Sequence, residues 1–385
     1  MAFSGCAQAM SWILALLLFA PQSGATSCDC GYTVSNHRNA EAWLFTESLE
    51  VDFTKLDYIQ QDADWRLQDF RVSAYAGRGE YGKSFVLQNA VIHPELDAEG
   101  QLLNDNAVAG LDLIVSGGTV NDNILGAEVD SARLDLQYGS YRAGMRIPDV
   151  NGTCAAFFWY FNDTQEIDIE FLSREFDAEK GLYPVNLVIQ SEESKEAGYD
   201  ASKTGMYKVV NLTFDPTTDF HEYRFDYLPG QVFFYVDSEL VADMHGVEIP
   251  SVGGHLILQH WSNGNPQWSG GPTSQDASLR INYVKAYFNT SDPEHLETVM
   301  SRCASMASDE ESVCSVPDIV ASDVGTRGEF LSISKGDDVV NDTDVAPDKS
   351  DEEAGSVRGI SFGVWTWSWK AAAGFGTAIS IHALL

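Results

Sequence analysis

The sequence predicts an all-β protein, an antiparallel sandwich or jelly roll, and three observations carry that prediction. Short runs rich in β-branched and aromatic residues follow one another closely from residue 28 to residue 289, among them Phe233-Phe234-Tyr235-Val236, 255–259 and 279–288. Turn signals separate them: Pro229-Gly230, Gly253-Gly254 and the glycine-rich stretch 264–271. No repeat with a period of about 20–50 residues is present, so one globular domain is the economical count. Aromatic residues are frequent in the 385-residue chain (9 Trp, 15 Tyr, 20 Phe), which suits a packed sheet rather than a disordered chain. The formal charge is −34, from 57 acids against 23 Lys plus Arg; a surface of that sign repels phosphate backbones, so nucleic acid is a poor partner.

Along the chain, residues 1–25 read as an export signal. The apolar run 12–20 is too short to span a bilayer, Pro21 breaks it, and Ser23-Gly24-Ala25 offers small residues for cleavage. Residues 26–290 form the expected domain. Five N-x-[ST] sequons, at Asn151, Asn162, Asn211, Asn289 and Asn341, accord with export and glycosylation. After loss of Cys6 with the signal, five cysteines remain. Cys303 and Cys314 are close in sequence and are expected to pair; one of Cys28 and Cys30 is expected to reach Cys154, leaving the other free or paired between chains. No Cys/His cluster completes a metal site, and no cofactor is expected.

From residue 291 the strand pattern stops and Ser, Asp, Glu and Gly take over, with acidic runs at 337–338 and 348–353. Such composition buries little apolar area, so 291–355 is expected to be an acidic linker or stalk. The tail 356–385 is apolar, and from Ile360 onward only Lys370 and His382 are chargeable side chains. Behind the small triplet Ala354-Gly355-Ser356 it suggests a glycolipid-anchor signal, with a spanning helix as the alternative, and hence a membrane anchor at the cell surface or cell wall.

The segment T-Q-E-I-D-I-E-F-L-S, residues 164–173, carries the chemistry. On a strand, successive side chains point to opposite faces, so Glu166, Asp168 and Glu170 share one face while Ile167, Ile169 and Phe171 share the other. Three like charges in a row raise one another's pKa values where solvent is scarce. Two carboxyls across a sugar, one as nucleophile and one as acid/base, are what retaining glycoside cleavage requires, and the shorter Asp between them can hydrogen-bond the nucleophile. Aromatic residues surround the motif: Phe157-Phe158-Trp159-Tyr160 precede it, Asn162-Asp163-Thr164 reads as the intervening turn, and Trp261 and Trp268 flank S-N-G-N-P-Q. His221 and His260 are read as structural, hydrogen-bonded histidines.

E-I-D-I-E-F-L resembles the active-site strand of glycoside hydrolase family 16. Further blocks extend the resemblance over roughly residues 28–289: Ala127-Glu128-Val129-Asp130-Ser131 followed by Tyr138-Gly139-Ser140-Tyr141, then 221–230 with Tyr235-Val236-Asp237, and Trp261 in H-W-S-N-G. The resemblance implies a curved β-jelly roll of the concanavalin A type with a polysaccharide on its concave face. It implies Glu166 as nucleophile, Asp168 as assisting acid and Glu170 as general acid/base, with Glu128, Trp159, Asn186 and Trp261 lining the sugar cleft; Trp268 is added as a further substrate contact. The unbulged E-x-D-x-E spacing looks like the lichenase and transglycosylase branches, because an inserted residue would turn the last Glu to the other face. A β-1,3 or mixed β-1,3-1,4 glucan is the expected substrate. The alternatives are a wall transglycosylase joining glucan or chitin chains, and a non-catalytic lectin-like protein.

Overall fold

The computed structural model describes residues 28–35, 42–95, 109–305 and 312–332. The expected export signal and apolar tail lie outside these residues, as does Asn341.

Two large sheets face each other in a curved, predominantly antiparallel β-sandwich of jelly-roll type, as the strand-and-turn pattern predicts. The nine-stranded sheet runs in the order Tyr207–Asn211, Pro184–Gln190, Gln165–Leu172, Cys154–Asn162, His255–Trp261, Asn123–Ser131, Gly82–Phe85 and Phe70–Val72, with Trp65–Leu67 added beside Asn123–Ser131. The eight-stranded sheet runs Glu239–His245, Gln231–Val236, His221–Leu228, Leu136–Arg146, Ala277–Thr290, Gly110–Val115 and Ala90–His93, with Glu47–Asp52 added beside Ala277–Thr290.

The core fills the space between the sheets. Ile167, Ile169 and Phe171 of the acidic strand meet Tyr223, Phe225 and Tyr227 of the opposite sheet there. The ring centres of Phe171 and Tyr223 lie 4.9 Å apart, edge to face. Complete burial of such side chains stabilises by roughly 1.5–3 kcal/mol each, which sets the acidic strand's facing: its three carboxylates have to point outward.

The cysteine pairing differs from the expected one. Cys28 bonds Cys314, Cys30 bonds Cys303, and Cys154 is a buried free thiol. Nearness in sequence misled the expectation of a Cys303–Cys314 bond. The chain beyond residue 305 returns to lay Cys314–Ser315 parallel to Tyr32–Ser35, which brings each C-terminal cysteine to an N-terminal one.

The expected stalk is corrected in its first part for the same reason. A helix, Pro293–Ser305, begins directly after the last long strand, and residues 312–332 pack on the outer face of the eight-stranded sheet. They do so through a few apolar side chains, Val316, Ile319 and Val324 among them, and through polar contacts. Asp318 accepts from the Arg224 guanidinium at 3.1 Å, Pro317 O from Arg142 at 2.9 Å, and the Arg327 and Glu329 carbonyls from Lys285 at 2.7 and 2.8 Å. A composition poor in apolar residues can order itself where a partner sheet already presents buried charges to satisfy.

Candidate active site

The acidic strand sits near the middle of the nine-stranded sheet, and its neighbours place the site in rows. Across one row lie Asn186, Glu170, Ala156, Gln259 and Glu128; across the next lie Val188, Asp168, Phe158, Ile257 and Asp130; across the third lie Gln190, Glu166, Tyr160 and His255. Directly opposed residues project to the same side, so these side chains share the outer face of the sheet. Glu128, Asn186 and Trp261 are thereby brought to the acids' face. Trp268 stands on the loop after the His255–Trp261 strand and packs with the Trp261 cluster.

Trp159 is corrected. It lies in the core between the sheets, its indole N–H donating to Leu136 O at 2.8 Å. The reason is a one-residue bulge. Asn162 pairs with Gln165 across the turn at 163–164, but the next partners are Tyr160 and Glu166, leaving Phe161 unpaired. Without that shift Trp159 would oppose Asp168; with it, Phe158 takes that place and Trp159 turns inward. Tyr160 and Phe158 are the aromatic residues this strand presents to the acids.

All three acids are deeply buried, Glu166 and Asp168 at 2 % and Glu170 at 3 % exposure. Burial pushes each carboxyl well above the usual carboxylate range, and the neighbouring carboxyls push Glu166 and Asp168 further. Asp168 is within hydrogen-bonding reach of Glu166, an interaction that favours charge on Glu166 and a proton on Asp168. Three carboxyls this close share their protons and titrate as a cluster. Burial likewise raises Glu128 and Asp130.

Lys83 brings positive charge to this face. It is fully buried on Gly82–Phe85, its ammonium 4.2 Å from the Trp261 ring centre. Burial lowers it to about 8, opposed by Glu128, Cys154 and Glu170. Sequence reasoning missed Lys83, Gln259 and Cys154. Parity alone could have found Gln259, two residues before Trp261; nothing local marks Lys83, whose place depends on a parallel pairing with Asn123–Ser131.

The site also holds many buried polar atoms that lack a hydrogen-bond partner among the described residues: Lys83 Nζ, Glu128 Oε1, Asp130 Oδ1, Asp168 Oδ1, Glu170 Oε2, Gln259 Oε1, Trp261 Nε1 and Trp268 Nε1. Native interiors pair nearly all such atoms. A cluster of orphan donors and acceptors on one sheet face suits a ligand bearing many hydroxyls.

Beside the acids opens a cavity of about 450 Å³ with Val188, Tyr207 and Trp268 on its wall, bounded by Arg78 and Tyr199. Arg78 comes from the loop before Gly82–Phe85 and Tyr199 from the loop after Pro184–Gln190, toward opposite edges of the sheet; the guanidinium lies 4.5 Å from the Tyr199 ring centre. Asn186 accepts from Tyr207 OH at 2.5 Å and donates to Glu175 at 3.1 Å, which holds its amide in place.

His221 and His260 stand away from this face. His221 Nδ1 is 2.6 Å from Asp237 and its ring stacks on Phe214, while His260 Nδ1 is 2.7 Å from Leu113 O. Of the sequon asparagines, Asn151 and Asn211 are exposed and Asn162 and Asn289 half-buried. The side-chain carbonyl of Asn162 accepts from Thr164 and that of Asn289 from Thr46.

The family model for glycosyl hydrolases family 16 matches residues 92–285. Over 139 residues the chain is 32 % identical to a beta-glucanase of Paenibacillus polymyxa, covering 34 % of this chain and 52 % of that one. Over 158 residues it is 30 % identical to a beta-glucanase of Bacillus licheniformis, covering 38 % and 58 %. The chain thus spans about half the length of the curated relatives it matches. Among solved structures, a Bacillus licheniformis beta-glucanase superposes with a TM-score of 0.46 at 18 % identity, covering 62 % of this chain and 97 % of that one. The family match takes in the acidic strand and every strand paired beside it as far as Lys285, and on it this chain belongs to glycosyl hydrolases family 16.

Proposed function

We propose that this protein cleaves a β-glucan, β-1,3 or mixed β-1,3-1,4, by retaining double displacement. The observation that carries the reading is the in-register row of Glu166, Asp168 and Glu170, buried on one sheet face among orphan polar atoms. Glu170 protonates the glycosidic oxygen as Glu166 attacks the anomeric carbon, so the C–O bond breaks as a glycosyl ester forms. Asp168 keeps its proton and donates toward Glu166, favouring the ionised nucleophile. Glu170, now ionised, takes a proton from water, which displaces Glu166 and restores the starting state. Lys83, Gln259, Glu128 and the Trp261 and Trp268 indoles are available to bind sugar hydroxyls and ring faces. The relatives' name, beta-glucanase, supports the substrate class. Two long-range disulfides support an oxidising compartment, hence export and a place at the cell surface.

The test is incubation of the purified protein with mixed-linkage glucan, laminarin and chitin oligomers, alongside Glu166→Gln. Shorter oligosaccharides whose first-formed anomer retains the β configuration support the reading. Inverted products, or none from any polymer, sink it. Products longer than the input would instead assign transfer to a sugar acceptor.

A further inference from the structure

The Cys154 thiol has no part in the reaction as described, yet it faces the acids. Cys154 opens its strand directly beside Gln165–Leu172, and its Sγ lies 3.1 Å from Glu170 Oε1. The side chain is completely buried, and burial together with Glu170 holds the thiol far above its usual range, so it stays protonated and is the donor. The Trp268 indole favours the charged form of the carboxylate, while Oε2 has no hydrogen-bond partner among the described residues. Glu170 therefore has one oxygen tied and one open.

We propose that Cys154 is a positioning residue for Glu170: its thiol fixes one carboxylate oxygen and leaves the other turned to the substrate. The proposal rests on the reading of Glu170 as acid/base. A thiol suits the task because it is a weak donor. It orients the carboxylate while letting it regain a proton each cycle, where a lysine or arginine in contact would hold it ionised. The groups facing Glu170 leave this role to Cys154. Asp168 and Glu166 flank it on its own strand, Lys83 acts from a strand further across the sheet, Glu128 stands in its row three strands away, and Tyr207 acts from the opposite edge. Asn186, its partner on Pro184–Gln190, is occupied by Glu175 and Tyr207.

Two measurements on the full chain test this. The first is the infrared S–H stretch, isolated as the difference between the parent protein and Cys154→Ser. In Glu170→Gln, whose amide oxygen is a weaker acceptor, the band is expected at higher frequency, and in the parent it should move as Glu170 titrates. A band that responds to neither overturns the proposal. The second is the pH profile of kcat/KM on the glucan that the parent cleaves. Loss of a donor to the charged form favours the protonated acid, so Cys154→Ala should move the basic limb upward by on the order of half to one pH unit. Cys154→Ser, which keeps a donor, should leave the limb at or slightly below its parental position. Basic limbs that coincide for Ala, Ser and parent overturn it. Absence of glucan cleavage by the parent would instead sink the proposed function, while the infrared measurement would still decide whether the thiol holds Glu170.

Discussion

Two strands of this protein bury charges at every second position, with opposite consequences. Gln165–Leu172 carries Glu166, Asp168 and Glu170; His221–Leu228 carries Glu222, Arg224 and Asp226. Both turn their apolar residues into the same core. In the second strand the signs alternate and partners are at hand: Arg224 donates two bonds to Asp226 at 2.7 and 2.5 Å and a third to Asp318, and Tyr283 donates to Glu222 at 2.8 Å. Burial works against the Arg224 charge, but Asp226 more than offsets it and draws the guanidinium further toward its charged form. In the first strand the signs are alike, and Asp168 Oδ1 and Glu170 Oε2 are left without partners among the described residues. Burial does not separate the two strands, and neither does satisfaction alone, since Glu222 Oε1 also lacks a hydrogen-bond partner among the described residues. Counter-charge does: the second strand carries Arg224 beside its acids, whereas the first carries only like charges.

The comparison breaks most sharply at Glu166. Glu166→Gln should lower glucan cleavage by on the order of 10³-fold or more with the fold intact by circular dichroism. A variant within tenfold of the parent would make this strand as structural as the other. Arg224→Met, by contrast, leaves Asp226 and Asp318 without their counter-charge. It should cost about 3–5 kcal/mol in denaturant unfolding and leave activity per folded molecule unchanged. A loss below about 1 kcal/mol would mean the outer network is solvated rather than structural.

Next in size is the strap that covers that network. Replacing Cys28 and Cys314 together by Ser should cost about 2–4 kcal/mol in the same measurement, whereas a loosely attached stalk would show no change.

The smallest effect is electrostatic, and its sign is opposite. Glu166 is pushed up to about 8 and Glu170 to about 7, both from 4.5, first by burial. A group that holds its proton more tightly when folded adds stability that is complete below about pH 4.5 and is lost as pH rises through 7 to 8. Thermal unfolding of the parent should therefore fall between about pH 5 and about pH 8.5. Glu170→Gln removes the like charge that raises Glu166, and one titrating group with it, and should flatten that decline, gaining on the order of 1 kcal/mol at the alkaline end. Equal slopes would show that the acids do not repel one another in the folded protein.

What was legible in the sequence follows from where the information is local. Period-two alternation placed Glu166, Asp168 and Glu170 on one face and Ile167, Ile169 and Phe171 in the core, because strand geometry leaves no other assignment. Turn residues marked the hairpin at 163–164, and like charges in an apolar strand pointed to a site. Tertiary structure decided what depends on pairing across distance. A single bulge at Phe161 exchanged Trp159 for Phe158 beside the acids. Lys83 and Glu128 came to the face of Glu170 only through strand order. Cys28 and Cys30 found Cys314 and Cys303 only because the chain returned to its start, where buried arginines and a lysine awaited acceptors. Local geometry is written residue by residue, but which strand lies beside which is set by the whole core, and no single stretch of sequence contains it.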